Sequence, residues 1–428
     1  MIENLRIDAL AYGGSGVGRH EGKAIFVPFT APGDLIRCRI VRDKKRYAEG
    51  EVAELLSPSP DRRDPPCPVF GECGGCQWQH LPYEEQCRWK ERIFADTLSR
   101  RCAVAEEFLR PLVPSPDEWG YRSRVQFKCR QTEQGFVMGF YRQGSHFVID
   151  VPHCPVLHPR LNEALRFFRQ RLPESPCPDK IPQVDMAVGD NGRVRVVIHF
   201  IGRKRDPLVT YLQTLGGQGG FSLFLQTGRK ETLCFVAGEE DLAIHVDNPL
   251  LRLAYGPGGF AQVNLAQNRA LVEEVVRGAQ LTGKERVLDL FCGMGNFTLP
   301  LARHAAEAVG VEDYGPSIKK AMQNALFNGI DNVFFHAHSA QGAAARHLDG
   351  RGFDLVVLDP PRTGAYEVAK ELLSALPRRI MYVSCDPSTL ARDLMPLLHG
   401  GYTLLWSRPF DLFPQTYHIE SVTLLERQ

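Results

Sequence analysis

From about residue 265 onward, apolar runs that read as buried strands alternate with amphipathic helices. The spacing predicts helix 266–279, strand 286–291, helix 296–304, strand 308–312, helix 315–328, strand 333–336, a helix near 340–348, strand 353–358, helix 365–375 and strand 379–384. Strands joined through helices run parallel, and their helices cover both faces of one sheet. The pattern therefore predicts an α/β, Rossmann-like, doubly wound domain. Strands 402–410 and 419–425 add an antiparallel pair at its end. Ligands of such sheets bind beyond the carboxyl ends of the strands, so function is sought in those loops.

The rest of the chain reads as mostly β. Residues 1 to about 60 hold short strands separated by Gly13-Gly14-Ser15-Gly16-Val17-Gly18 and Ala31-Pro32-Gly33-Asp34. Such spacing suggests a small barrel of OB type. The glycine stretch lacks the Lys-Ser/Thr ending of a phosphate cradle and no helix follows, so it reads as a hairpin loop. Arg37, Arg39, Arg42, Lys44, Lys45 and Arg46 then crowd together, either as a solvated face or as a strip that follows a nucleic-acid backbone. Residues 57–66 have the composition of a linker, and a helix is expected over about 83–107. Strands are expected at 125–129, 136–141, 147–151, 184–188, 194–200, 221–226 and 233–237, with a helix over about 159–172. The whole is a multidomain chain: 1–60 barrel, 61–257 central β-rich region, 258–428 catalytic domain, with helix 83–107 packing on the last.

In Val287-Leu288-Asp289-Leu290-Phe291-Cys292-Gly293-Met294-Gly295-Asn296 a strand runs into a glycine turn. Glycines there let a backbone approach a ligand closely. A dinucleotide fingerprint wants a third glycine where Thr298 stands, which weakens the NAD reading. Glu312 ends the next strand, placed to bond two ribose hydroxyls. Together these fit S-adenosylmethionine better than NAD. Asp359-Pro360-Pro361-Arg362 closes the fourth strand. Enzymes that methylate exocyclic amines hold an aromatic where Arg362 stands, stacked on a flipped base. Its absence leaves room for a carbon nucleophile.

Strand 379–384 stops at Cys385-Asp386-Pro387, before a helix whose cap is expected at Ser388 or Thr389. A thiol at a strand's carboxyl end suits nucleophilic chemistry, although isolated cysteines are more often small buried hydrophobes. Cys67, Cys73 and Cys76 have C-x5-C-x2-C spacing, and Cys154 lies later, followed by Pro155. Four thiolates fit a tetrahedral zinc or a [4Fe–4S] cluster. Most structural zinc sites pair two C-x2-C knuckles; here there is one, and the distant Cys-Pro favours the cluster.

Composition narrows the classes. The chain has 428 residues, 43% hydrophobic and 24% charged, with a formal net charge of +1, which argues against a general coater of polyanions. No signal-like segment or apolar run of membrane length occurs, so a cytoplasmic location, no membrane association and no obligate protein partner are expected. Its 12 cysteines then point to metal or catalysis rather than disulfides.

Asp289-Leu290-Phe291-Cys292 with Gly293-Met294-Gly295, the Asp-Pro-Pro-Arg at 359–362, Ser384-Cys385-Asp386-Pro387 and His418-Ile419-Glu420 occur in the order found in RNA (uracil-5-)methyltransferases, which the chain resembles. Its N-terminal barrel resembles a TRAM domain, and its cysteines resemble those of the iron–sulfur subgroup that methylates 23S ribosomal RNA. The resemblance implies Cys385 as nucleophile, Glu420 as proton-abstracting base and Asp359 lining both cofactor and base. It implies cofactor contacts from Gln262 (in Phe260-Ala261-Gln262), Phe291, Gly293, Asn296 and Glu312, and from Ser339, where members often carry Asn or Asp. Cys67, Cys73, Cys76 and Cys154 would hold the cluster. Arg37, Arg39, Lys44, Lys45, Arg46, Arg122 and Arg124 are candidate RNA contacts. Two rival readings are a transfer-RNA uracil methyltransferase and a non-catalytic RNA-binding or ribosome assembly factor.

Overall fold

The structure, a computed structural model, describes residues 1–229, 232–346 and 352–428. Strands β1 (Ile2–Leu10), β2 (Gly16–His20), β3 (Lys23–Val27), β4 (Leu35–Asp43) and β5 (Tyr47–Ser57) close into a barrel in the order β1-β2-β3-β5-β4. Alternation turns Leu5, Ile7, Ile25, Val27, Ile36 and Cys38 into its small core. The following stretch, read as a linker, is pinned to the barrel. Asp34 accepts bonds from the Ser59 amide at 2.8 Å and from Arg62 Nε at 3.1 Å.

Helix α1 (Tyr83–Cys102) stops sooner than its pattern suggested, because Ala103 takes a left-handed φ of 53° and breaks the ladder. Its Lys90, fully buried, pairs with Asp411 at 2.6 Å. Strands β6 (Arg124–Thr132), β7 (Gly135–Tyr141) and β8 (Val148–Asp150), helix α2 (Pro159–Arg171), strands β9 (Gln183–Val188) and β10 (Val194–His199), helix α3 (Asp206–Gly219), and strands β11 (Ser222–Gln226) and β12 (Leu233–Ala237) follow. They form a mixed sheet ordered β12-β11-β10-β9-β6-β7-β8. Helix α3 and the next hairpin, β13 (Leu242–Val246) with β14 (Leu251–Tyr255), were not anticipated.

The C-terminal part is α4 (Leu265–Ala279), β15 (Arg286–Leu290), α5 (Thr298–Ala302), β16 (Glu307–Glu312), α6 (Gly315–Phe327), β17 (Val333–Ala337), α7 (Ala343–Arg346), β18 (Leu355–Leu358), α8 (Tyr366–Ala375), β19 (Arg379–Ser384), α9 (Pro387–His399), β20 (Tyr402–Phe410) and β21 (Glu420–Arg427). The expected extension of α7 beyond 346 lies outside the described residues. The sheet order is β17-β16-β15-β18-β19-β21-β20, with β15 to β19 parallel and β21 antiparallel to both neighbours. One apolar cluster joins α4, α5, α6 and the β13–β14 hairpin to one face; a second joins α1, α8 and α9 to the other. The strand order reverses between β15 and β18, so the loops after these strands flank a ready-made crevice. No helix among the described residues is long and apolar enough to cross a membrane.

Candidate active site

The loop after β15 is built for close approach. Phe291 takes a φ of 68°, Gly293 of 55° and Gly295 of 92°. A left-handed phenylalanine costs about 1 kcal/mol and persists only where its surroundings enforce it. A Cβ at Gly293 would meet nothing within 4 Å, so its outer face is open. Glu312, ending β16, accepts the Gly293 amide at 3.3 Å and the Tyr314 amide at 2.9 Å, which ties two strand-end loops together. Burial pushes its carboxyl above the usual range. Asn296 is fixed by a reciprocal amide pair with Asn268 at 2.9 and 3.0 Å. Gln262 is buried in a segment stitched to the central region, where the Ser123 amide donates to the Val263 carbonyl at 2.7 Å.

Gln262, Phe291, Gly293, Asn296 and Asp359 line one narrow cavity, with Phe260 at its rim. Glu312 adjoins it through Gly293. Ser339 does not line it: the residue is exposed beyond β17, and its Oγ accepts the Gln341 amide at 3.2 Å. Asp289, fully buried, accepts the Thr298 hydroxyl at 2.5 Å, and its second oxygen has no partner. Burial pushes it up to about 7. The open face at Gly293, the buried amide of Gln262 and the carboxylates of Glu312 and Asp359 fit a cationic, ribose-bearing cofactor.

Beside this cavity the strand ends bring together the nucleophile and acids read from the sequence. Asp359 follows β18, Cys385 follows β19 and Glu420 opens β21, paired across the sheet with Phe410. Glu420 is 2% exposed, and burial, then Asp359, hold its carboxyl well above the carboxylate range, against the opposing pull of Arg362. Burial pushes Asp359 up to about 7. Burial, then Glu420 and Asp359, push the Cys385 thiol up to about 12, again opposed by Arg362. Three acidic groups crowded together cannot all ionise, so the resting thiol is protonated at neutral pH. The cap of α9 is Asp386, not Ser388 or Thr389: its Oδ1 accepts the amides of both, at 2.8 and 2.9 Å.

A cavity of about 970 Å³ lies between the central region and the catalytic domain, reaching Arg362 and His418 near this cluster. Arg122, Arg124, Phe260, Arg362 and His418 line it, as do Cys67, Cys73, Cys76 and Cys154. None of the four is in a disulfide, and burial pushes Cys76 up to about 11 and Cys154 up to about 12. Among the described residues, no group of three or more His, Cys, Asp or Glu side chains is placed to hold one metal ion. The donor set is sulfur alone, which suits an iron–sulfur cluster or zinc. On the barrel, Arg37 pairs with Glu3 and Glu54, and Arg39 with Glu51. Lys44, Lys45 and Arg46 stand exposed in the β4–β5 turn.

Sequence reasoning passed over Tyr12, Trp78 and Gln415. The Tyr12 hydroxyl donates to Asp386 at 3.0 Å, Trp78 Nε1 donates to the Gly14 carbonyl at 3.0 Å, and the Gln415 carbonyl accepts the amides of Gln77 and Trp78. No local pattern marks contacts between residues so far apart in sequence, 64 for Trp78 and Gly14 and 374 for Tyr12 and Asp386.

A parallel sheet ending in an antiparallel pair, with a glycine loop after its first strand and acids at the ends of the second and fourth, is the fold of a methyltransferase. The chain belongs to the tRNA (Uracil-5-)-methyltransferase family, whose profile matches residues 112–428, and a TRAM domain matches residues 2–53. It is 38% identical to the 23S rRNA (uracil(1939)-C(5))-methyltransferase RlmD of Alkalilimnicola ehrlichii, over 99% of this chain and 96% of that protein. It is 35% identical to the RlmD of Methylococcus capsulatus, over 98% of this chain and 96% of that protein. Among solved structures, the tRNA (uracil-54, C5)-methyltransferase of Pyrococcus abyssi in complex with S-adenosyl-L-homocysteine superposes with a TM-score of 0.74. It has 26% identity and covers 99% of this chain and all of that one.

Proposed function

We propose that the chain is a cytoplasmic S-adenosylmethionine-dependent methyltransferase acting on carbon 5 of a uridine in 23S ribosomal RNA. The observation that carries the reading is the convergence of Cys385, Asp359 and Glu420 beside the Gln262–Gly293–Asp359 cavity. Full-length similarity to RlmD-named relatives supports the substrate. Gln262, Phe291, Gly293, Asn296, Glu312 and Asp359 would hold the cofactor, with Ser339 outside the cavity as a weaker contact. S-adenosylmethionine would supply an electrophilic methyl group. Carbon 5 of uracil is too weak a nucleophile on its own. Cys385 Sγ bonds to carbon 6, the 5,6 double-bond pair moves into an enolate, and carbon 5 becomes nucleophilic. Asp359, beside Cys385, would orient the uracil ring through its polar edge. Once carbon 5 has bonded to the methyl carbon, Glu420 removes the proton from carbon 5, the 5,6 double bond re-forms and Cys385 leaves as a thiolate with the pair of the broken bond to carbon 6.

The chain divides, in this reading, into a barrel (1–60), a central region (61–257) and a catalytic domain (258–428). Cys67, Cys73, Cys76 and Cys154 would hold a [4Fe–4S] cluster through their thiolates at the wall of the large cavity. Lys44, Lys45 and Arg46 contact phosphates. Arg37 and Arg39 contribute less, because their charges are already balanced, and Arg122 and Arg124, which line the large cavity, would contact the RNA there.

The test uses ribosomal and transfer RNA in parallel, since the Pyrococcus abyssi enzyme is a tRNA methyltransferase. Wild-type protein should place 5-methyluridine in 23S RNA. Cys385→Ala should abolish transfer and retain cofactor binding. Glu420→Gln should methylate once and stall, leaving an RNA–protein adduct on Cys385 that survives denaturing gels. An adduct on another cysteine, or near-normal turnover by Cys385→Ala, would sink the mechanism; methylation of transfer RNA alone would move the substrate.

A further inference from the structure

The loop between β1 and β2 does more than turn the barrel strand. Ala11 and Ser15 close it through the bond from the Ala11 amide to the Ser15 carbonyl at 2.9 Å, and Tyr12 projects from it toward the catalytic sheet. The Tyr12 hydroxyl donates to Oδ2 of Asp386 at 3.0 Å. That carboxylate's other oxygen holds the first amides of α9, directly after Cys385. Each oxygen of Asp386 thus has its own task. The Tyr12 ring packs edge-on against Tyr417 at 5.4 Å, and Tyr417 lies 4.3 Å from His418, two residues before Glu420. The barrel therefore touches the turn carrying the nucleophile and the segment carrying the base.

The seat is tight. Trp78, fully buried, binds the Gly14 carbonyl, and a Cβ on Gly14 would come within 2.9 Å of Gln77 and 3.2 Å of Tyr417. Burial and the Asp386 carboxylate push the Tyr12 phenol above its ordinary range, so it remains a donor throughout the working pH range. A tyrosine bonded to a neighbouring domain is often simple packing. Here its partner is the residue following the nucleophile, and the bond is charge-assisted.

We propose that Tyr12 is a positioning residue for methyl transfer: through Asp386 it fixes the Cys385 turn, so that the chemical step depends on the barrel being seated. This rests on the uracil methyltransferase reading above. Tyr12→Phe keeps the ring and removes the bond. A hydrogen bond to a charged group is worth about 1.5–3 kcal/mol, so single-turnover methyl transfer at saturating RNA and cofactor should fall about tenfold or more. The dissociation constants of 23S RNA fragments and S-adenosylmethionine should stay within about twofold, which separates positioning from RNA grip.

Asp386→Ser keeps a good helix cap but offers one oxygen where two tasks exist. In that background, adding Tyr12→Phe should cost less than about twofold. A tenfold loss that persists there, a loss confined to RNA affinity, or no loss would each overturn the proposal. Hydrogen exchange at the Ser388 and Thr389 amides is read without any substrate. Faster exchange in Tyr12→Phe, in a protein that methylates no RNA, would sustain the link and reject the function. Unchanged exchange and unchanged turnover in an active enzyme would do the reverse.

Discussion

The loop 13–18 of the barrel and the loop 293–295 of the catalytic sheet look alike in sequence, and both place glycines at positive φ. Gly13 and Gly14 stand at 104° and 94°, Gly293 and Gly295 at 55° and 92°. The surroundings of Gly14 and Gly293 are opposite. A Cβ on Gly14 would strike Gln77 and Tyr417, and one on Gly16 would lie 2.1 Å from Thr30 Oγ1. A Cβ on Gly293 would meet nothing, although its neighbour Gly295 faces Leu299 at 3.0 Å. At Gly14 and Gly16 side chains of this chain occupy the space a side chain would need. At Gly293 that space is open. Glycine at positive φ says only that the backbone turns; what stands opposite decides whether the turn packs or binds.

The largest effect should come from Gly14→Ala. It combines an unfavourable φ with a contact to Gln77 that cannot yield without moving Trp78. We expect a loss of about 3 kcal/mol in denaturant unfolding, with cofactor affinity per folded molecule unchanged. A loss below about 1 kcal/mol would mean that the barrel loop is not held as described.

The contrast extends to charge. The barrel pairs its charges on the surface, Arg37 with Glu3 and Glu54 and Arg42 with Glu49, where pairs contribute little to stability. The cleft keeps Asp359 and Glu420 raised by burial. A carboxyl whose value rises on folding, here from 3.8 to about 7, binds its proton more tightly when folded. Its penalty is absent below about pH 4 and complete above about pH 7, so stability falls as pH rises through that window. Asp359→Asn should thus raise stability by about 2 kcal/mol at pH 8, discounted for the partial exposure of the group, and change little at pH 4, while activity is lost. An equal shift at both pH values would show that the gain is not electrostatic.

How much of this could be read beforehand varies by element. Strands β15, β16, β18 and β19 were legible because a strand covered on both faces is a near-continuous apolar run. Cys385 and Asp359 followed from strand ends in a known topology, whereas Glu420, at the start of β21, entered only through the motif order shared with RNA (uracil-5-)methyltransferases. Helix α3 was not legible, since Gly216-Gly217-Gln218-Gly219-Gly220 reads as a turn, and its helicity comes from packing on β11 and β12. The end of α1 at Cys102 carried no glycine signal, because Ala103 takes the left-handed position. The cap of α9 was legible and missed: Pro387 belongs at the first helical position, which makes Asp386 the cap. Tyr12 was out of reach, because its partner lies 374 residues away and neither residue shows a local pattern.

Gly293→Ala sharpens the comparison from the other side. A φ of 55° lies in the left-handed well that alanine tolerates at about 1 kcal/mol, so the protein should fold. The added methyl group enters the space assigned to the cofactor, and S-adenosylmethionine affinity, read by calorimetry, should fall at least tenfold, or about 1.4 kcal/mol. Unchanged affinity would remove Gly293 from the binding face.

The smallest effect is expected at Gly13, which separates backbone strain from contact. It shares the barrel loop with Gly14 and has a similar φ, yet a Cβ there would meet nothing within 4 Å. It also lies beside Tyr12 without touching Tyr417. Gly13→Ala therefore isolates the cost of an alanine near φ 104°, about 1–2 kcal/mol, partly offset by the reduced freedom of the unfolded chain. The net loss should be about 1 kcal/mol, with cofactor binding intact and methyl transfer within about twofold of wild type. If Gly13→Ala costs as much as Gly14→Ala, strain alone explains both, and the contact with Gln77 and Tyr417 contributes nothing. If it costs little stability but lowers cofactor affinity, the two loops are not opposites, and the barrel loop also serves the site.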